Sequence, residues 1–62
     1  MKPIYQTGDI IYHTKIEEYY LILDVVINEQ RYKLLRLSKD NTDGTKAICS
    51  FRYLHSVSYL SS

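Results

Sequence analysis

The sequence predicts an all-β domain of five short strands, and three observations carry that prediction. The first is periodicity in residues 17–27, EEYYLILDVVI: read every second position, Tyr19, Leu21, Leu23, Val25 and Ile27 form one wholly apolar row. Read at 3.6 residues per turn, Asp24 falls among apolar neighbours and no polar stripe emerges. The second is residue type, because β-branched and aromatic side chains dominate the apolar runs. The third is punctuation: clusters of Gly, Asn, Asp and Ser separate those runs.

Sixty-two residues make one small domain, spanning 1–62, near the lower limit for a chain that folds alone. A composition of 45% hydrophobic and 24% charged residues is that of a folded chain rather than a disordered one.

Strand one is GDIIYH, residues 8–13, entered through a glycine turn. Strand two is the period-two run, with the Tyr19–Leu21–Leu23–Val25–Ile27 row expected in the core. Its opposite row, Tyr20, Ile22, Asp24, Val26 and Asn28, is mixed and expected to be half covered or near solvent. Strand three is RYKLLRL, residues 31–37, paired with strand two through a tight turn at Asn28-Glu29, since Asn tolerates positive φ. That turn sets Asp24 opposite Lys33, Val25 opposite Tyr32 and Leu23 opposite Leu34, matching charge with counter-charge and apolar with apolar. SKDNTDG, residues 38–44, is the one strong loop and ends in the turn pair Asp43-Gly44. Strand four is TKAICSF, residues 45–51, whose small Ala47 and Cys49 alternate toward a tight interior. RYLHS, residues 52–56, is too short for an autonomous helix and reads as one 3-10 turn. VSYL, residues 57–60, closes the chain as strand five.

This order, with its long second hairpin and its turn before the last strand, resembles the SH3-like small β-barrels. Gly8-Asp9-Ile10-Ile11 is similar to their G-D-hydrophobic-hydrophobic opening. The chain looks most like the small SH3-like proteins encoded by tailed bacteriophages. In those, such a start leads to a long aliphatic strand, a Tyr-x-(V/L) strand and a terminal leucine-containing strand. The matching residues here are Gly8 to Ile11, Leu21 to Val26, Tyr32 to Leu34, and Val57 to Leu60. Two features depart from the pattern: Tyr19 and Tyr20 stand where glycines are common, and there is no tryptophan. The missing glycines also make the KOW type of RNA-binding barrel a poor match. The resemblance implies a five-stranded SH3-like barrel with a short 3-10 turn before the last strand. It also implies a non-catalytic interaction module, a phage accessory protein binding a host or phage protein in the host cytoplasm.

The residues themselves rank the function classes. Seven tyrosines dominate the aromatic count, and tyrosine combines rigid contact area with a polar tip. Most belong to the core and its wet rim. Tyr12, Tyr20 and Tyr53 are the expected partner contacts, because their expected faces oppose the aliphatic row. Nucleic acid is the alternative partner: Arg31, Lys33, Arg36 and Arg52, with Tyr32 and Tyr53 interleaved, have the chemistry to bind phosphates and stack bases. The net charge is +1, but residues 1–30 sum to −3 and residues 31–62 to +4. That asymmetry suits a basic face; the simpler reading is that neighbouring strands of opposite sign attract one another.

Catalysis is the least supported class. His13, His55 and Cys49 show no metal-ligand spacing, and a structural zinc site needs four ligands, so neither metal nor cofactor is expected. Cys49 alternates with Ala47 and Phe51, which reads as a buried thiol rather than a nucleophile. Glu17-Glu18 is a solvated strand entry, and no glycine loop cradles a phosphate. A lone cysteine cannot form an internal disulfide, the N-terminus MKPIYQTGD lacks an apolar leader, and no run reaches the ~20 apolar residues of a membrane helix. These point to a cytoplasmic chain with no membrane partner. It is a monomer or a homodimer, the latter formed through strand two or the tyrosines.

Overall fold

The computed structural model describes residues 1–37 and 44–62. Five antiparallel strands form one sheet: β1 (Ile10–His13), β2 (Glu18–Val26), β3 (Arg31–Leu37), β4 (Lys46–Ser50) and β5 (Ser58–Leu60), in the spatial order β4-β3-β2-β1-β5. A helix, α1 (Phe51–Val57), joins the two edge strands β4 and β5. The loop expected over SKDNTDG falls, apart from Gly44, outside the described residues. Gly44 itself has φ 53°, the left-handed backbone a turn glycine supplies.

The sheet does not close into a barrel, contrary to the expected architecture. Closure is replaced by a cover. Seven residues between β4 and β5 wind into α1, which buries Phe51, Leu54 and Val57. The N-terminal strap, residues 1–7, adds Tyr5, 4% exposed, whose hydroxyl bonds Ser58 Oγ at 2.8 Å. With helix and strap covering one face, burying the core does not require β4 to meet β5.

The expected 3-10 turn at 52–56 is therefore a full α-helix. Ser50 caps it, its Oγ accepting the Tyr53 N–H at 3.2 Å. Phe51, Leu54 and Val57 recur every third residue, so one side of the helix faces the core. Isolated, seven residues would not hold a helix; burial of that side stabilises it here.

The faces of β2 are the main correction. The expected core row was Tyr19, Leu21, Leu23, Val25 and Ile27, but the buried residues are Tyr20 and Ile22. A β-bulge explains the outcome. Ile22 pairs with Leu34 and Asp24 with Lys33, leaving Leu23 as the extra residue. Before the bulge even-numbered residues face the core; after it Val25 does, packed against the core cluster. The expected Asp24–Lys33 and Val25–Tyr32 pairs are present, and the expected Leu23–Leu34 pair is replaced by Ile22–Leu34. The two-residue turn at Asn28-Glu29 is likewise a four-residue connection. It comprises a 3-10 turn at Ile27–Glu29 closed by Gln30 at φ 54°, whose N–H reaches the Ile27 carbonyl at 3.1 Å. Ile27 is consequently 66% exposed rather than core.

The core face carries Ile11 of β1, Tyr20 and Ile22 of β2, Tyr32 and Leu34 of β3, and Ala47 and Cys49 of β4, under Tyr5, Phe51 and Leu54. β1 and β5 start later than expected, at Ile10 and Ser58. Gly8 nonetheless extends the ladder, its N–H meeting the Ile22 carbonyl at 2.8 Å from a backbone at φ 97°.

Candidate functional site

The face of the sheet opposite the core has no layer over it among the described residues, and its side chains follow from the register. Tyr59 of β5 pairs with Tyr12 of β1, Tyr12 with Tyr19 of β2, and Tyr19 with Leu37 of β3. The next row is Ile10, Leu21 and Leu35, ending in Lys46 of β4. Cross-strand partners share a face, so these residues make one aromatic and aliphatic surface over β5, β1, β2 and β3, bordered on β4 by Lys46. The rings touch: Tyr12 and Tyr19 lie 4.9 Å apart edge-to-face, and Tyr12 and Tyr59 lie 5.4 Å apart. Tyr19 is 47% exposed and Tyr59 56%. The Tyr12 phenol titrates above its usual range because of partial burial first and the Glu17 carboxylate second, with Tyr59 and Tyr19 adding to it. Glu17 thus marks one end of the surface.

The expected contact residues divide. Tyr12 is central to this surface. Tyr20, expected beside it, is 8% exposed on the core face; its phenol is raised by burial and then by Glu18, with Arg36 opposing. Tyr53 is exposed on α1, away from the row, with its ring 5.8 Å from that of the buried His13. Tyr19 and Tyr59 were not among the expected contacts. The first was legible: Tyr12 and Tyr19 flank the short β1–β2 connection symmetrically, His13 pairing with Glu18. Tyr59 required knowing that β5 returns beside β1.

The four basic residues do not form one patch. Arg31 and Lys33 are exposed on the outer face, with Lys33 across from Asp24. Arg36 lies on the core side opposite Tyr20 and bridges to Glu18. Arg52 is exposed on α1.

A second polar constellation sits under the strap. The Tyr32 hydroxyl accepts the Ile4 N–H at 3.0 Å and the Tyr5 N–H at 3.4 Å. With both lone pairs engaged, its own proton points at His55 Nε2, 2.6 Å away. His55 is therefore the neutral imidazole with its proton on Nδ1, and burial lowers its pKa. Cys49, expected to be buried, is half-buried, and that partial burial raises its thiol above the ordinary value. Among the described residues no three His, Cys, Asp or Glu side chains converge to hold a metal ion. Nor is any helix there long and apolar enough to cross a membrane.

The comparisons with known proteins add no relative: no family model, no curated protein and no solved structure matches this chain.

Proposed function

We propose that this chain is a non-catalytic protein-interaction module whose contact surface is the outer face of its sheet. The carrying observation is the contiguous ring row Tyr59–Tyr12–Tyr19, continued by Leu37 and backed by Ile10, Leu21 and Leu35. A sheet face left to solvent ordinarily alternates toward polar residues; a broad apolar one marks an interaction site. Tyrosine supplies contact area while remaining compatible with water before binding. The long β2–β3 hairpin supports an SH3-like kinship, with the open sheet and the α-helix in place of a 3-10 turn as departures. On the resemblance, the module serves as a phage accessory protein in the host cytoplasm, catalysing nothing.

The dispersal of Arg31, Lys33, Arg36 and Arg52 over two faces and a helix favours a protein partner over nucleic acid. A photo-crosslinking residue placed at Tyr59 is expected to capture protein, and the Tyr19→Ser background to lose the capture. Capture from position 53 on α1 but not from 59 would overturn the assignment of the face. Retention on heparin that weakens steeply with salt would instead favour the basic alternative.

A further inference from the structure

We infer that the occupant of the outer face is a second copy of this chain, related by a two-fold axis that packs sheet on sheet. This rests on the proposed reading of that face as a contact surface and names its partner.

Three observations lead there. The first is self-complementarity of shape and polarity. A sheet with one face over its own core and an apolar row on the other is half of a sandwich, and face-to-face sheets pack about 10 Å apart through such rows. The same Tyr59–Tyr12–Tyr19–Leu37 row on a rotated copy is an apolar partner of equal extent.

The second is charge. Glu17 lies at the end of the β1–β2 connection beside Tyr12, and Lys46 lies at the far edge on β4, across from Leu35. Neither has an ion-pair partner among the described residues. The register puts Tyr19, Leu21, Leu35 and Leu37 between them. A two-fold axis in the plane of the face, crossing the midpoint of that line at right angles, brings each Glu17 over the other copy's Lys46. The pairing occurs twice, as an isologous interface requires. Asp24 and Lys33, by contrast, are cross-strand neighbours that offset each other within one chain.

The third is area. The chain exposes 4390 Å². A stable interface takes about 800 Å² from each partner, about a fifth of that total, which one broad face of a two-layer body can supply.

Sedimentation equilibrium of the full chain, from low micromolar to about millimolar, tests the inference. The expected mass rises from one chain to two. Tyr19→Lys with Tyr59→Lys should hold the chain at one mass across the range, its circular dichroism unchanged. Glu17→Lys alone and Lys46→Glu alone should each weaken dimerisation roughly ten-fold, since each creates two like-charge contacts. Combining them should restore it to within about three-fold of the parent, because the pair is exchanged in place. The restored variant also guards against misfolding as the cause of the single losses. A single-chain mass throughout overturns the inference; if position 59 still crosslinks a different protein, the outer-face reading survives without it. A dimer indifferent to both lysine substitutions places the interface elsewhere and overturns the inference as well. Loss in the single charge variants without rescue in the double overturns the two-fold pairing.

Discussion

At the residue scale, the most constrained atom is the Tyr32 hydroxyl. It ties the strap to β3 by accepting two backbone N–H groups and ties β3 to α1 by donating to His55. Protonating His55 at Nε2 would set two donors face to face. Because its folded pKa lies below the unfolded value, the stability this contact contributes is fully present above about pH 6.5 and is lost as pH falls through the folded pKa. Thermal melts from pH 7.5 to 5 should show a declining midpoint for the parent and a flatter profile for His55→Gln, whose side-chain carbonyl accepts at any pH. Equal slopes would remove the assigned tautomer. Gly8 gives a separate test. Its φ is 97° and a Cβ there would meet no atom within 4 Å, so Gly8→Ala probes backbone strain alone. We expect a loss of roughly 1–2 kcal/mol by urea denaturation; a neutral result would mean that the Gly8 φ is not positive. The glycine turn was legible in the sequence, whereas the Tyr32–His55 bond joins residues 23 positions apart and has no local signature.

At the element scale, β2 shows what periodicity carries and where it stops. Extended backbone, hairpin pairing with β3 and the Asp24–Lys33 register were all readable from alternation and charge. The face was not, for two physical reasons. Leu23 bulges, so the odd and even rows exchange places along a single strand. Tyr20, expected toward solvent, is a core residue, as Tyr5 and Tyr32 are where their hydroxyls find partners. Helix α1 was missed because length alone argued against it, although Ser50 and the Phe51–Leu54–Val57 spacing were both in view. Its cap is measurable: Ser50→Ala should destabilise by about 1 kcal/mol, a fall of about 4–8 °C in Tm. An unchanged midpoint would mean that the Ser50–Tyr53 bond does not cap the helix in solution.

At the scale of the whole molecule, one core serves every element. The radius of gyration is 10.8 Å, close to the ~10.6 Å of a compact domain of this length. The core lies between the sheet and a cover of helix and strap, which among the described residues lies over one face of the sheet. The sequence announces the apolar content of both faces but not which one is covered, because covering depends on α1 and the strap, which meet β3 from distant parts of the chain. The contact surface proposed for this protein is the remainder: apolar side chains that no helix or strand covers among the described residues. Everything therefore turns on which face of β2 is inside. Leu21 and Ile22 are adjacent, aliphatic and equal in size, and they point to opposite faces. Urea denaturation of Leu21→Ala and Ile22→Ala at low protein concentration compares them directly. With Ile22 inside and Leu21 outside, Ile22→Ala should cost about 2–5 kcal/mol and Leu21→Ala clearly less. A larger loss at Leu21 than at Ile22 would contradict that placement.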